Sequence, residues 1–270
     1  MTPIAQQTIL ITGATDGLGR GVALALARQG ATVLVHGRDP QRIERTVEAI
    51  RAAGGRAPRW YRADLASLAA VRQMASEVLA GEQRLDALLN NAGIGTTVPG
   101  GEGRQTSADG HELRFAVNYL SHYLLTRQLL PLLRASAPAR IVNVSSAGQA
   151  AIDFDDVMLE RAYSGWRAYC QSKLAQILFT VDLAAELAGS GVTVNALHPA
   201  TFMPTKMVPR PISTLEEGVG ATTRLLTDPA LDGTSGRYFD GLREARPDAQ
   251  AADPAARSRL RALSDRLTQG

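Results

Sequence analysis

The chain has 270 residues, of which 45% are hydrophobic and 20% charged, and its formal net charge is +3. This length suits one large α/β domain that buries its own core, so a single domain over residues 1–270 is expected. The small net charge, without a basic run interleaved with aromatic residues, argues against a nucleic-acid partner. The four histidines are scattered without ligand spacing, so no metal site is expected.

The location of the protein is predicted from what its sequence lacks. No apolar run reaches the ~18 residues that a membrane span needs. The first residues, MTPIAQQ, carry no basic segment of a signal peptide. Cys170 is the one cysteine, which excludes an internal disulfide and suits a reducing compartment. A cytoplasmic protein without membrane attachment is therefore expected.

A glycine-rich turn near the start of the chain is the first candidate site. An apolar, β-branched run at residues 8–12 enters TGATDGLG, and a helical pattern follows. Such a turn presents backbone N–H groups and a helix N-terminus to a phosphate. The spacing is Gly-x3-Gly-x-Gly, and turns of this kind also occur for packing alone. We favour a dinucleotide site made by Gly13, Thr15, Asp16, Gly17, Leu18 and Gly19.

The second predicted strand, residues 31–36, indicates which dinucleotide binds. It ends in Gly37-Arg38, before a helix that Asp39 caps and Pro40 opens. At this position an acidic residue binds the ribose 2′-hydroxyl of NAD, whereas an arginine accommodates the 2′-phosphate of NADP. Gly37 occupies the expected acidic position and Arg38 follows it, which predicts NADP(H) in preference to NAD(H). The alternative is that Arg38 is a solvated loop residue.

Strands and helices alternate through the rest of the chain, which predicts a Rossmann-type, doubly wound parallel α/β sheet of about seven strands with helices on both faces. The remaining strands are predicted at residues 59–63, 85–89, 140–144, 192–197 and 237–239, and the later helices at 67–80, 111–135, 166–187, 213–226 and 253–267. Ser213 and Glu216 form a predicted capping box. Residues 201–212 contain three prolines and predict a lid, over about 201–226 with the helix that follows.

Tyr169 and Lys173 are the candidate catalytic pair. Their i, i+4 spacing within a predicted helix places them on one face. A positive charge about 4 Å away, at an effective dielectric of about 20, supplies about 4 kcal/mol. That is enough to lower the pKa of a tyrosine by about 3 units, towards neutrality. On its own the pair is weak evidence, because most Tyr–Lys pairs at this spacing are surface contacts.

Taken in order, TGATDGLG, NNAG, Asn118, Ser145-Ser146 and YCQSK resemble the short-chain dehydrogenase/reductase family over about residues 7–240. The long gap between Ser146 and Tyr169 and the run LRFAVNYLSHYLLT are similar to its retinol-dehydrogenase-like branch. The resemblance implies hydride transfer between a nicotinamide and a carbonyl or alcohol carbon. It implies that Ser146 polarises the oxygen and that Tyr169 transfers its proton. Lys173 is expected to bind the ribose and Asn118 to link it, through a water, to a proton relay.

The resemblance also assigns further cofactor contacts. Besides the glycine turn, Arg38, Tyr169 and Lys173, it implies contacts from Asp64, Leu65, Asn91, Ala92, Gly93, Pro199 and Thr205. Strand alternation turns Ser145 and Ser146 in opposite directions, so one of them faces the cleft. Two positions depart from the family pattern. Ala200 replaces the usual glycine after Pro199, and Thr205 lies one residue later than the usual lid threonine.

The leading hypothesis is an NADP-dependent oxidoreductase for a moderately bulky, apolar carbonyl or alcohol. Its cleft is predicted to be lined by Ile152, Phe154, Trp166, Phe202, Met203 and Met207, although these side chains could instead pack the lid onto the body. A catalytically silent dinucleotide-binding regulator is the alternative, but such relatives lack the Tyr-x3-Lys pair. A sugar-nucleotide epimerase needs a larger C-terminal region. The resemblance implies a homodimer or homotetramer formed through helices 111–135 and 166–188.

Overall fold

The computed structural model describes residues 2–96, 103–204 and 210–269. Its centre is one sheet with the strand order β3-β2-β1-β4-β5-β6-β7-β8. The strands are β1 (Thr8–Ile11), β2 (Thr32–Gly37), β3 (Arg59–Arg62), β4 (Ala87–Asn90), β5 (Ala139–Val144), β6 (Val192–His198), β7 (Tyr238–Asp240) and β8 (Arg243–Ala245). The first seven run parallel, which confirms the predicted Rossmann-type sheet.

The strand order reverses between β1 and β4, which are neighbours in the sheet. The chain first builds outwards through β2 and β3 and then returns to the other side of β1. The carboxyl ends of β1 and β4 therefore border the crevice in which such sheets bind ligands. The eighth strand, β8, was not predicted and pairs antiparallel with β7. It has three residues and no buried side chain, so it carries no apolar alternation.

Helices cover both faces of the sheet, as predicted. They are α1 (Gly17–Arg28), α2 (Pro40–Ala52), α3 (Leu68–Gly81), α4 (Leu113–Phe115), α5 (Ser121–Ala135), α6 (Gly165–Glu186), α7 (Leu215–Thr227) and α8 (Pro254–Thr268). Alternate strand residues point into two separate cores. Ile9 and Ile11 of β1 pack with α1, α2 and α7 on one face. Leu10 packs with α3, α5, α6 and α8 on the other.

The helix predicted over residues 111–135 is interrupted. A π-helical turn, Ala116–Leu120, separates α4 from α5 and contains Asn118. Such turns widen a helix by one residue and occur frequently at functional sites. Apolar spacing does not reveal the interruption, because every residue of the turn is buried.

The capping box predicted at Ser213 is wrong by one residue. Thr214 is the N-cap of α7, its Oγ1 accepts the Glu217 N–H at 3.2 Å, and Glu217 accepts the Thr214 N–H in return. The Ser213 hydroxyl instead donates to the carbonyl of Thr201. Within the helix, Ala221 and Leu225 are buried in the core shared with α1. The part of the predicted lid that lies in α7 is therefore packed onto the body.

The C-terminal helix α8 covers α5 and α6. The hydroxyl of Tyr119 lies 2.7 Å from that of Ser264, and Arg261 donates to Asp182 at 2.6 Å. Residues 170–180 of α6 are all buried within this one chain. The surface predicted to pair subunits is thus largely occupied along this part of α6. Within the described ranges, no helix combines the length and apolar composition required to cross a bilayer.

Candidate active site

The glycine turn after β1 is folded tightly upon itself. Gly13 has φ of +65°, and a Cβ at Gly19 would lie 2.3 Å from the Gly13 carbonyl oxygen. Asp16 caps α1 by accepting the Gly17 N–H at 3.0 Å. The N–H groups of the first turn of a helix have no partners within that helix. A hollow that a single methyl group would fill, at a helix N-terminus, fits the pyrophosphate of a dinucleotide.

The turn is fastened to the NNAG segment that follows β4. The Thr12 hydroxyl oxygen accepts N–H groups from Asn91 at 2.8 Å and from Ala92 at 3.0 Å. The Asn91 side-chain Nδ2 donates to the Thr12 carbonyl at 2.8 Å. A Cβ at Gly13 would meet Ala92 Cα at 3.0 Å. The two segments predicted to bind cofactor therefore form one unit, with the Asn91 amide beneath the turn.

Gly37 and Arg38 lie at the carboxyl end of β2, next to this unit. A Cβ at Gly37 would lie 2.6 Å from Thr15 Cγ2, so an acidic side chain cannot occupy the position unless Thr15 moves. The Arg38 side chain is 72% exposed, and its Nη1 lies 3.8 Å from Asp64 Oδ2. Arg38 and Asp64 thus face each other across the ends of β2 and β3. Leu65, predicted to touch cofactor, is buried in the core.

Ser146 and Tyr169 are brought together at the carboxyl end of β5, close enough for the Ser146 hydroxyl to act on the pKa of the Tyr169 phenol. Ser146 Oγ also accepts the Gly148 N–H at 3.0 Å, so its own proton is available to the Tyr169 oxygen or to a substrate. The Ser145 hydroxyl turns away and donates to the Lys173 carbonyl at 2.7 Å. The predicted difference in direction between the two serines is observed.

Lys173 is buried one helical turn from Tyr169. Its Nζ donates to the Val144 carbonyl at 2.9 Å and to Gln176 Oε1 at 3.1 Å. Burial lowers the pKa of Lys173 to about 7. Its Nζ lies 5.8 Å from the centroid of the Tyr169 ring, close enough for the two groups to act on one substrate or cofactor.

The predicted lowering of the Tyr169 pKa is wrong for this structure. Burial raises the pKa of Tyr169, and the neighbouring Ser146 hydroxyl opposes that rise only in part. The prediction assumed a full positive charge beside a phenol exposed to water. In the structure both groups are removed from water, and the ammonium group is directed at Val144 and Gln176. Desolvation of the phenolate therefore dominates the pKa of Tyr169.

Asn118 is fully buried in the π-helical turn and holds the chain just after NNAG. Its Oδ1 accepts the Ile94 N–H at 2.8 Å, and its Nδ2 donates to the Ile94 carbonyl at 3.1 Å and to Ser172 Oγ at 2.9 Å. A Cβ at Gly93 would lie 3.2 Å from Asn118 Oδ1 and 3.6 Å from Lys173 Nζ. Asn118, Gly93 and Lys173 therefore lie in one cluster.

Two buried histidines that were not predicted as site residues hold the neighbouring segments, His36 at the glycine turn and His122 at Asn118. His36 Nδ1 accepts the Gly13 N–H at 3.0 Å, and its Nε2 lies 3.2 Å from the Ala63 carbonyl. His122 Nδ1 lies 3.1 Å from the Asn118 carbonyl, and its Nε2 lies 3.1 Å from the Thr12 hydroxyl. Burial lowers the pKa of His36 to about 4 and that of His122 to about 3. Both imidazole rings are therefore neutral near pH 7 and serve as fixed hydrogen-bonding groups.

Ser146 is also held through its main-chain carbonyl. Its carbonyl accepts hydrogen bonds from the Tyr238 hydroxyl at 3.0 Å and from Gln149 Nε2 at 3.1 Å. Burial raises the pKa of Tyr238 to about 12, so this donor keeps its proton. No motif indicated Tyr238, because a lone tyrosine on a three-residue strand has no distinctive spacing. Among the described residues, no group of histidine, cysteine and acidic side chains could hold a metal ion.

The predicted apolar lining is only partly formed. Trp166 is 60% exposed and its ring stacks over that of Tyr169, with centroids 6.3 Å apart. Phe202 is also exposed. Ile152 is buried in the core, Phe154 lies under the Arg259 guanidinium, and Met203 fills the space beside Gly218, so these three pack onto the body as in the alternative interpretation. Pro199 follows directly on β6. Thr205 and Met207 lie outside the described residues.

Together, a doubly wound sheet, a glycine turn at its switch point and a Ser–Tyr–Lys cluster define a dinucleotide-dependent oxidoreductase. The family model for short chain dehydrogenases matches residues 7–214, and the chain belongs to this family. It is an NAD(P)-dependent oxidoreductase that acts on alcohol or carbonyl groups.

Two curated relatives and three solved structures illustrate the likeness. The chain is 40% identical to retinol dehydrogenase 13 of Homo sapiens, over 98% of this chain and 85% of the relative. It is 38% identical to retinol dehydrogenase 14 of Mus musculus, over 96% and 85%. An uncharacterised protein from Mycobacterium Paratuberculosis superposes with a TM-score of 0.82 at 32% identity, covering 98% of this chain and 94% of that one.

The other two structures hold a cofactor. A short chain dehydrogenase from Shigella flexneri, complexed with NADP, has a TM-score of 0.70 at 27% identity, with 88% of this chain and 98% of that chain covered. One from Escherichia coli, complexed with NADPH, has a TM-score of 0.72 at 28% identity, with coverage of 88% and 97%.

Proposed function

We propose that the protein is an NADP-dependent carbonyl reductase and alcohol dehydrogenase with Asn118, Ser146, Tyr169 and Lys173 as its active-site residues. The observation that carries the proposal is that the Ser146 and Tyr169 side chains lie together, with buried Lys173 one turn along the helix from Tyr169. These groups lie at the carboxyl edge of the sheet. Gly93 connects them to the glycine turn, because it lies beside Lys173 and belongs to the segment that Thr12 holds.

In this proposal Tyr169 is the proton donor during carbonyl reduction. Its raised pKa keeps the phenol protonated at neutral pH, which suits a general acid. The Ser146 hydroxyl donates a hydrogen bond to the same carbonyl oxygen, and its position is fixed by the Gly148 N–H. The bound nicotinamide supplies or accepts the hydride. Lys173 holds a ribose hydroxyl, and Asn118 keeps the NNAG segment beside it.

A preference for NADP(H) over NAD(H) is supported by the end of β2. Gly37 provides no acidic partner for a 2′-hydroxyl, and Arg38 offers a guanidinium group to a 2′-phosphate. The NADP and NADPH complexes of two related structures agree with this choice. Dissociation constants for NADPH and NADH provide the test. Equal or tighter NADH binding would contradict the preference.

We propose a moderately bulky, apolar substrate. The exposed Trp166 ring beside Tyr169 and the exposed Phe202 ring support it, and so do relatives that are named retinol dehydrogenases. The test is a panel of aldehydes and ketones of increasing bulk, with retinal among them, in which NADPH absorbance is followed. The Tyr169→Phe variant is the blank. Activity restricted to small charged keto acids would overturn the substrate assignment and leave the reaction class intact.

The remaining proposals concern the setting of the enzyme. A cytoplasmic location suits the free, buried thiol of Cys170. A homodimer or homotetramer would need a surface other than residues 170–180 of α6, which are buried within one chain. The described lid residues, 201–204 and 210–214, follow β6 beside Pro199 and carry the exposed Phe202. One domain over residues 1–270 is proposed because all the strands join one sheet.

A further inference from the structure

Gln176 is a buried amide side chain that the proposed mechanism does not use. It lies on α6, three positions after Lys173, and is 1% exposed. Its Oε1 accepts a hydrogen bond from Lys173 Nζ at 3.1 Å, whereas its Nε2 is buried with no hydrogen-bond partner in the described part of the chain. A buried N–H group without a partner destabilises a fold. A glutamine in this position therefore indicates a role for the other end of its amide, at Lys173.

The ammonium group of Lys173 has little compensation for its charge. The residue is 5% exposed, and burial lowers its pKa to about 7. Among the described residues no carboxylate pairs with it, and its acceptors are the main-chain carbonyl of Val144, at 2.9 Å, and the side-chain carbonyl of Gln176. Loss of one of these two acceptors should therefore change whether the lysine is charged near neutral pH.

The oxygen atoms of Val144 and Gln176 are held in fixed positions. Val144 is the last residue of β5. The Thr180 hydroxyl, one turn after Gln176 on α6, donates to the Gln176 main-chain carbonyl at 2.8 Å and accepts a hydrogen bond from Asn143 Nδ2 on β5 at 2.8 Å. These bonds fix α6 against β5 beside the lysine. The two acceptors thus approach the ammonium group from separate elements, which restricts the directions in which its N–H groups point.

We propose that Gln176 is a positioning residue that keeps Lys173 charged and leaves its third N–H for the cofactor ribose. An ammonium group has three N–H donors, of which Val144 and Gln176 take two. The inference rests on the proposed function, because it assumes that Lys173 binds the ribose. It adds a residue that no motif indicated, since Gln176 lies three positions beyond YCQSK.

The charge of Lys173 is then expected to depend on Gln176. A hydrogen bond to the charged form favours that form, so removal of this acceptor lowers the lysine pKa further and a carboxylate in its place raises it. The other titratable groups that face Lys173 are Tyr169 on α6, His122 on α5 and His198 at the end of β6. Burial lowers the pKa of both histidines and raises that of the tyrosine, so all three are neutral near pH 7.

The test is a fluorescence titration of the full chain with NADPH at a series of pH values around neutrality. Wild-type affinity should fall as pH rises through about 7, because Lys173 loses its charge. Gln176→Met, which is similar in volume and lacks the acceptor, should move this fall about one pH unit lower and weaken binding at pH 7 by about fivefold. Gln176→Glu should move the fall about one unit higher. Titration of the cofactor's own phosphate is common to all variants and cancels in the comparison.

Gln171→Met is the matched control. Gln171 lies on the same helix and is also 1% exposed, but its amide bonds the Asp153 N–H and the Val157 carbonyl, away from the lysine. This variant should cost stability and leave the pH of the fall unchanged. Thermal melting of each variant confirms that it is folded. If Gln176→Met does not fold, the direction of the shift in Gln176→Glu decides.

The outcomes separate the inference from the proposed function. Opposite shifts in Gln176→Met and Gln176→Glu support the inference, since a merely disturbed core would not shift the two variants in opposite directions. Shifts of the same sign, or none, overturn it. If Lys173→Met weakens NADPH binding while the Gln176 variants leave the pH of the fall unchanged, the inference is overturned and the role of Lys173 stands. If Lys173→Met binds NADPH as tightly as the wild type at every pH, both are overturned.

Discussion

The cofactor side of the proposed site and its substrate side are built in different ways. Around Gly13 and Gly19 the backbone packs so closely that one added methyl group would collide with main-chain atoms. Around Trp166 and Phe202, by contrast, large rings remain more than half exposed. The first side recognises a fixed shape through main-chain groups and glycine. The second offers adaptable apolar surface, which suits a family whose members share a cofactor and differ in substrate.

The largest effect is expected where the two sides meet, at Tyr169. Tyr169→Phe should lower the rate of carbonyl reduction by about 10³-fold, because it removes the general acid. NADPH affinity should stay within about twofold, since the ring and its stacking on Trp166 remain. Steady-state rates and a fluorescence titration measure the two quantities.

The matched control for this variant is Tyr61→Phe, on the edge strand β3, where the lost hydroxyl bonds only Glu82. It should cost stability and leave turnover unchanged. Substantial turnover in Tyr169→Phe, at any pH, would remove Tyr169 from the mechanism.

The glycine turn should give the next largest effect. A Cβ at Gly19 would lie 2.3 Å from the Gly13 carbonyl oxygen, so Gly19→Ala must displace the turn. A displacement of this kind is expected to weaken NADPH binding by about 100-fold. It should also cost about 1–3 kcal/mol in the free energy of unfolding, by overpacking. Titration with NADPH and urea denaturation measure the two changes.

Gly148→Ala on the substrate side sharpens the comparison. Its Cβ would meet Trp166 at 3.3 Å and Ser146 Oγ at 3.5 Å, and the exposed Trp166 ring can yield. NADPH affinity should therefore change less than about threefold in this variant, within the range of a tolerated small repacking. Equal losses in Gly19→Ala and Gly148→Ala would show that the two sides are equally rigid.

The pH dependence should differ between the two directions of the reaction. Burial raises the pKa of Tyr169, so the phenol remains protonated and reduction should be nearly independent of this group from pH 7 to 9. Alcohol oxidation needs the phenolate. Below the raised pKa, the ionised fraction grows about tenfold per pH unit, and the oxidation rate should rise by the same factor. Rates at saturating cofactor and substrate measure it. An oxidation rate that levels off near pH 7 would contradict the raised pKa.

The sequence predicted the cofactor side better than the substrate side for a physical reason. Glycine spacing, an N-cap at Asp39 and parallel β-branched runs report on local backbone geometry, which neighbouring residues determine. The side chains that hold the site together from a distance are not determined by neighbouring residues. His36, His122 and Tyr238 come from separate elements and meet only when the sheet is assembled. The predicted lowering of the Tyr169 pKa was wrong for the same reason, because this pKa depends on how much water the folded chain excludes. The predicted N-cap of α7 was wrong by one residue because Ser213 and Thr214 both precede an acidic residue by three positions.

The smallest effect is expected at Trp166, and it tests whether the exposed rings recognise substrate at all. Trp166 and Trp60 are the two tryptophans of the chain and are similarly exposed, at 60% and 54%, but only Trp166 stacks on Tyr169. Aromatic contacts contribute about 0.5–1.5 kcal/mol, so Trp166→Ala should raise the KM for a bulky apolar aldehyde by about 2- to 12-fold. Its kcat should change less, because the Ser146 and Tyr169 hydroxyl groups do not depend on the indole ring for their positions at the end of the sheet and in α6. Trp60→Ala, on the edge strand β3, should leave both parameters unchanged. If Trp166→Ala alters kcat and not KM, the ring positions Tyr169 instead of binding substrate, and the apolar cleft must be built from other side chains.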